Sequence, residues 1–171
     1  MLLAQIIGGV AFVCGVIAFL QKQDLRFRIG MVIFCFIMAT HFTMMGATVA
    51  AIGSLLNGTR ALVSIKTQSK WVMTFFILML LGCTLGRVQH PIELLTIIGS
   101  VAATWSMFNL QGIKMRGVIM LNSFCWLTHN LWLGSIGGSL VEATFVVANG
   151  ITIYKMYKMS QSKESNSVEA N

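Results

Sequence analysis

The sequence predicts an all-α, multi-pass membrane protein with seven transmembrane helices. Of its 171 residues, 56% are hydrophobic and only 10% are charged, whereas an ordinary soluble domain carries about 25% charged residues. The mean hydropathy of +0.80 is that of an integral membrane protein. A single proline fits long, uninterrupted helices. This composition argues against a soluble globular protein and excludes a disordered one.

Seven apolar runs of 16 to 19 residues follow one another along the chain. A spanning helix needs about 20 residues, so we expect the helix ends to extend into the flanking segments. No run alternates polar and apolar residues as a strand would, and helices satisfy every backbone group in lipid. The predicted spans are Leu2–Leu20, Ile29–Met45, Ala47–Ile65, Trp71–Gly86, Ile92–Leu110, Val118–Leu133 and Leu140–Tyr157.

The two ends of the chain need separate interpretation. The first run lacks a positively charged leader, and the polar segment Gln21–Arg26 follows it directly with no small-residue cleavage site. We therefore interpret it as a retained helix and not as a signal peptide. The polar, serine-rich segment 160–171 predicts a disordered cytoplasmic tail.

The basic residues predict the orientation in the membrane. If all seven runs span, eleven of the twelve Lys and Arg residues fall on one side, and Arg87 alone falls on the other. The positive-inside rule then places the N-terminus outside and the C-terminus in the cytoplasm. The excess of cations thus indicates the lipid bilayer as partner and no nucleic acid. The eleven are Lys22, Arg26, Arg28, Arg60, Lys66, Lys70, Lys114, Arg116, Lys155, Lys158 and Lys163.

An internal repeat predicts the helix arrangement. Four motifs of the first half recur in the same order in the second: Ile6-Ile7-Gly8 with Ile97-Ile98-Gly99, Arg28 with Arg116, Thr40-His41 before Gly46 with Thr128-His129 before Gly134, and Asn57-Gly58 with Asn149-Gly150. They divide the chain into a three-helix unit (1–68), a linker helix (69–88) and a second three-helix unit (89–159). A single linker helix gives both units the same orientation, which makes a parallel 3+1+3 repeat.

Some of these motifs also carry a resemblance to a known family. The segments Ser69–Met73, His90–Leu95 and Ser135–Gly138, together with the Thr-His pairs and the two Asn-Gly pairs, resemble the YgjV family over nearly the whole chain. The resemblance implies a bacterial inner-membrane protein, so the outside position predicted for the N-terminus by the positive-inside rule is the periplasm. More distantly, the 3+1+3 layout resembles the SWEET and PQ-loop carriers. Those carriers place an asparagine from the third helix of each unit in a central pocket, which would be Asn57 and Asn149 here.

The candidate substrate-binding residues are two amides and two indoles. Asn57 and Asn149 are expected to face a cavity between the units and hold a polar solute, because an unsatisfied amide in hydrocarbon costs roughly 2–7 kcal/mol. The alternative is that they join helices through interhelical hydrogen bonds. Trp105 and Trp126 would line the cavity, or else pack in the core.

Three further residues are candidates for an outer gate or a proton-sensitive group. His41 and His129 are predicted near the outer ends of helices 2 and 6, and Glu142 about one turn into helix 7. An imidazole can titrate near neutral pH, and an intramembrane acid tends to be functional. Alternatively, each histidine bonds a backbone carbonyl and Glu142 reaches water. Arg60 is expected to extend to the cytoplasmic interface as an anchor.

Two functions remain open at this point. The first is a small-solute carrier with a polar cavity between the units. The second is a non-transporting membrane component that binds a protein or lipid, suggested by the absence of the proline that the carriers have in the first helix of each unit. No catalytic constellation is present, so no enzyme activity, cofactor or metal is predicted. The oligomeric state is open, and a monomer suffices because one chain already supplies both units.

Overall fold

The computed structural model describes residues 2–19, 21, 24–63, 66–67 and 69–169. Within this part of the chain there are seven α-helices and one short 3-10 helix, which extends the fourth α-helix. The helices are α1 (Leu2–Phe19), α2 (Asp24–Met44), α3 (Thr48–Val63), α4 (Lys70–Thr84), α5 (Glu93–Asn109), α6 (Gly112–Leu133) and α7 (Ile136–Glu169), and the 3-10 helix is Leu85–Arg87.

The seven predicted helices are confirmed, with longer polar flanks than the apolar runs suggest. The flanks extend α2 back to Asp24 and α6 back to Gly112. The helix α7 continues to Glu169, so it includes most of the segment 160–171 for which we predicted disorder. By length and composition, Lys70–Arg87 and Ile136–Gln161 can cross a membrane, and Leu2–Ala18 and Ile29–Met44 are shorter apolar helices. That all seven helices span remains a prediction.

The helices pack in a ring with one helix outside it. Helix α1 packs on α2 and α2 on α3, while α5 packs on α6 and α6 on α7. The two sets meet twice, through α1 with α7 and through α3 with α5. Helix α4 lies against α3 and α5 and is mostly exposed.

The surface of this bundle is apolar, and its interior is lined by small and polar residues. On α1, the large side chains of Ile6, Val10 and Val13 are each about half exposed, whereas Ala4 and Ala11 are fully buried. Large apolar side chains outside and small residues at helix contacts are the arrangement expected in lipid. The buried polar residues include two histidines, two asparagines and several serines and threonines.

Glycine ends α2 and α6 in the same way. Gly46 and Gly134 have φ angles of 76° and 73°, in the left-handed region that glycine tolerates best. In both turns the next residue returns a hydrogen bond five residues back, from the Ala47 N–H to the Phe42 carbonyl and from the Ser135 N–H to the Asn130 carbonyl. These bonds satisfy carbonyls that the helix ends leave open.

Candidate functional site

A central polar cluster joins α3, α5 and α6; we define it as Asn57, Arg60, Ser100, Thr104 and Trp126. The Asn57 Nδ2 and the Trp126 Nε1 both donate to the Ser100 hydroxyl, each at 3.3 Å. Ser100 and Thr104 are four residues apart and therefore share one face of α5. Both are buried, with 1% and 3% of their surface exposed. Residues of both predicted units thus meet at this point.

Arg60 belongs to this cluster, and its predicted role as an anchor at the interface is wrong. It is one turn beyond Asn57 on α3, and its guanidinium donates to the Thr104 hydroxyl on α5. Its Nε atom is buried without a hydrogen-bond partner. We predicted that the Arg60 side chain extends to the interface because a long cationic side chain near a helix end commonly places its charge in water. Here α3 turns the side chain toward hydroxyls on α5 instead.

Glu142 and two residues of α6 add further polar groups to the interior. The Ser123 hydroxyl lies within hydrogen-bonding reach of the Glu142 carboxyl group, whose Oε2 is buried without a partner. The Asn122 Oδ1 also lacks a partner and lies close to Gly99 of α5. Cys35 of α2 packs against Gly58 of α3, two residues before Arg60. Its thiol is close enough to Arg60 and Glu142 for both to act on it electrostatically.

Asn149 is buried but has partners of its own, separate from those of Asn57. Its Nδ2 donates to the Phe145 carbonyl at 3.0 Å, and its Oδ1 accepts from Arg116 at 3.3 Å. The bond to Phe145 stays within α7 and the bond from Arg116 comes from α6. The structure thus fits the helix-joining alternative for Asn149, and it records no contact between the two asparagines.

The two predicted wall residues lie in different places. Trp126 is 5% exposed, packs against Phe42 and donates to Ser100. Trp105 is 46% exposed, on the outward face of α5. Its neighbour Thr104 faces inward, and one residue rotates a helix by about 100°, which carries Trp105 away from the cluster.

His41 is a buried junction between α1, α2 and the start of α7. Its Nδ1 lies 2.7 Å from the Ala4 carbonyl, and its Nε2 lies 2.7 Å from the Ser135 hydroxyl. Because a carbonyl can only accept, Nδ1 carries the hydrogen, and in the neutral ring Nε2 accepts from Ser135. The Ser135 oxygen also accepts from the Gly138 N–H at 3.2 Å. His41 thus bonds a backbone carbonyl, as expected if it is a structural residue and not a gate. It also links α1 to the turn before α7.

His129 occupies the corresponding position on α6 with neither bond. It is fully buried, and both ring nitrogens lack hydrogen-bond partners. It contacts Phe42 and Trp126, with ring centroids about 6 Å apart. The residue after Gly134 is Ser135, but the residue after Gly46 is Ala47. In the predicted repeat, Ala47 corresponds to Ser135, so the predicted counterpart of the His41–Ser135 bond lacks a hydroxyl.

Several contributors to the interior were absent from the sequence analysis. Ser100, Thr104, Asn122 and Ser123 were not singled out for the central cluster, because serine and threonine are common in membrane helices at ordinary packing contacts. One signal was available, since Asn57 and Arg60 are three residues apart and Ser100 and Thr104 are four apart. Such spacings put each pair on one helix face.

The interior offers hydrogen bonds and charge. Across the described part of the chain, no three His, Cys, Asp or Glu side chains group closely enough to hold a metal ion. The four cysteines are free and partly buried. The groups that converge near Arg60 are suited to binding a polar solute.

Comparison with known proteins identifies similar sequences. A family model described as Imp-YgjV, bacterial inner membrane protein, matches residues 2–160. The chain is also 36% identical over 159 residues to the inner membrane protein YgjV of Escherichia coli (strain K12), covering 93% of this chain and 87% of that protein. No solved structure matches. The resemblance to the SWEET and PQ-loop carriers therefore stays a prediction.

Proposed function

The chain belongs to the YgjV family of bacterial inner-membrane proteins, and we propose, from the geometry of its interior, that it is a small-solute carrier with its binding site at the central polar cluster. One observation carries the proposal: Arg60 and Asn57 of α3 turn into the bundle and bond hydroxyls of α5. Ionisable residues inside membrane proteins are costly, and they commonly mark substrate pathways.

The packing of the helices supports two parallel three-helix units around this site. Exchanging α1, α2 and α3 for α5, α6 and α7 leaves the set of main contacts unchanged. The contact of α1 with α7 becomes that of α5 with α3, and the contacts of α2 with α1 and α3 become those of α6 with α5 and α7. Helix α4 lies outside the ring, as expected of a linker. In carriers built from repeats, the substrate lies near the midplane between the repeats, and the Asn57–Ser100 contact joins the two units.

The two similar turns support the same division. Gly46 and Gly134 end the second helix of each unit with matching φ angles and hydrogen bonds. His41 and His129 each lie five residues before the glycine and are completely buried. A repeat that preserves backbone geometry to this degree favours a shared architecture for the two halves.

The energetics also favour a bound solute. The Arg60 Nε, the Glu142 Oε2 and the Asn122 Oδ1 are buried without partners. Each unsatisfied buried polar group costs about 1–3 kcal/mol, and a charged group costs more. Water or a polar solute with its own donors and acceptors would recover this cost for whichever of these atoms it reaches.

A specific observation favours the alternative of a non-transporting membrane component. At the predicted outer end, the Gln5 amide makes two hydrogen bonds to the turn between α6 and α7. Its Nε2 donates to the Gly134 carbonyl at 2.7 Å, and its Oε1 accepts from the Ile136 N–H at 3.2 Å. His41 links the same helices, and Gly8 touches Gly137. Alternating access through this end would require these contacts to break.

Thermal unfolding of the detergent-purified protein against sugars, amino acids, organic acids and nucleosides tests the proposal. We expect one chemical class to raise the unfolding temperature, because a ligand of the folded state stabilises it by about 2.7 kcal/mol at 100 times its Kd. Asn57→Ala should abolish the shift. Asn109→Ala is the matched control, since that amide is exposed and donates to the Trp105 carbonyl outside the cluster. No shift with any class, together with a co-purifying protein or lipid, would favour the alternative.

A further inference from the structure

The donors of the central polar cluster outnumber its acceptors. The Ser100 oxygen already accepts two N–H groups, from Asn57 and Trp126. The Thr104 oxygen accepts from Arg60, and its own hydrogen is donated to the Ser100 carbonyl at 2.6 Å. A guanidinium has five N–H donors and no acceptor. The Arg60 Nε–H is among those without a partner.

The charge of Arg60 has a hydroxyl and not a carboxylate as its recorded partner. Among the carboxylates with described side chains, Glu93 accepts from the backbone N–H groups of Gln89 and His90, and Glu142 lies beside Ser123. A guanidinium in a water-poor interior is best satisfied by an oxyanion, to which it donates two parallel hydrogen bonds. The donor-rich side of the cluster is therefore complementary to a carboxylate.

A single cation limits how much negative charge a ligand can carry in this cluster. Arg60 is the cation recorded there, and both Arg60 and Glu142 are close enough to the Cys35 thiol to act on it. A second carboxylate on the ligand would therefore be buried without a cationic partner, which is costly. A hydroxyl in that place would instead donate to the unpartnered Oε2.

We propose that the central polar cluster binds a small organic monocarboxylate, with the carboxylate against Arg60 and the uncharged end toward Glu142. The proposal rests on the proposed carrier function and adds the class of ligand. Asn57 and Ser100 would complete the carboxylate site from α3 and α5. The Trp126 indole, held by its bond to Ser100, would close the outer side.

Compounds matched in shape but not in charge test the ligand class. Lactate would be compared with lactamide, and gluconate with sorbitol, at equal ionic strength in the thermal unfolding of the wild-type protein. We expect the carboxylate of at least one pair to raise the unfolding temperature and its neutral counterpart to have no effect. Succinate, with two carboxylates, should bind more weakly than lactate. These comparisons need no variant, so a folding defect cannot obscure them.

Variants then locate the site. Arg60→Gln should weaken carboxylate binding about 10- to 100-fold, the range for losing hydrogen bonds to a charged group. Arg60→Lys keeps the charge but loses the planar pair of donors, so an intermediate affinity is expected. Arg87→Gln is the matched control: it also removes one cation, but Arg87 is exposed and donates to its own helix at the Cys83 carbonyl. It should leave binding unchanged.

Two results would overturn the proposal in different ways. If a neutral compound binds as tightly as its carboxylate, and Asn57→Ala abolishes that binding, the carrier function stands and the monocarboxylate assignment is wrong. If neither member of either pair binds, and the wider panel of neutral and cationic solutes is also without effect, the carrier function fails as well.

Discussion

The contact between Gly8 and Gly137 gives the sharpest prediction about stability. A Cβ atom added at Gly137 would lie 2.2 Å from the Gly8 carbonyl carbon and oxygen, whereas ordinary van der Waals contact begins at 3.4 Å. Helices α1 and α7 would therefore have to separate by about 1.2 Å. Backbone atoms cannot rotate away as a side chain can, so the separation would also strain the bonds that Gln5 makes to the turn before α7.

The expected cost of Gly137→Ala follows from these distances. Overpacking a close contact costs about 1–3 kcal/mol, and the gain from replacing glycine by alanine in a helix offsets up to about 1 kcal/mol of it. Gly150→Ala is the matched control on the same helix, because its added Cβ meets no atom within 4 Å. That variant should be neutral or more stable by up to about 1 kcal/mol.

Unfolding of the two variants in mixed micelles with increasing denaturing detergent measures the difference. We expect Gly137→Ala to unfold at lower detergent fraction than the wild type, and Gly150→Ala at an equal or higher one. If Gly137→Ala is as stable as Gly150→Ala, then α1 and α7 do not pack as described, and the closure of the helix ring is wrong.

Four further predictions concern the buried polar groups and the orientation. Ser135→Ala should destabilise by about 1–3 kcal/mol, because it leaves the His41 Nε2 without its partner; unchanged stability in the same detergent titration would contradict the His41 junction. Ala47→Ser should instead stabilise the protein, by about 1 kcal/mol, if the repeat places its hydroxyl near the unpartnered His129 ring; a loss of stability would count against that correspondence. Trp126→Phe should destabilise because it removes the bond to Ser100, whereas Trp105→Phe on the outer face should leave the unfolding midpoint unchanged. A reporter enzyme that is active only in the periplasm should be inactive when fused after Glu169, and activity there would overturn the predicted cytoplasmic C-terminus.

Hydropathy was sufficient to predict the helices but not their full lengths. Seven apolar runs predicted seven helices because a lipid-exposed chain must satisfy its backbone internally. Extension of the helices into polar flanks was expected, but the first residues of α2 and α6 could not be predicted, since Asp24 and Gly112 carry no apolar signal. Helix formation there follows from continuation of the backbone hydrogen bonds.

Some of the buried polar residues could be predicted from the sequence, but the residues to which they hydrogen-bond could not. Asn57 was predicted as a polar amide within a span, and His41 and His129 as candidates for an outer gate; all three contact the bundle interior. The partners depend on helix rotation and on which helices pack together, and a single sequence specifies neither. Arg60 shows the limit most clearly, because a long side chain near a helix end can reach either the interface or a neighbouring helix.

The proposed polar binding site between the two units can be tested directly through the thiol of Cys35, which charged reagents reach only if solutes can enter the site. A variant that keeps only Cys35 would be treated, in membranes, with methanethiosulfonate reagents carrying either a sulfonate or a trimethylammonium group. Comparing the two reagents cancels differences in thiol reactivity, and a variant that keeps only Cys83 on the outer helix α4 is the control. We expect Cys35 to react and to prefer the sulfonate reagent, and Arg60→Gln to remove this preference. If the Cys35 thiol reacts with neither reagent until the protein is unfolded, solutes do not reach the cluster and the proposed binding site is wrong.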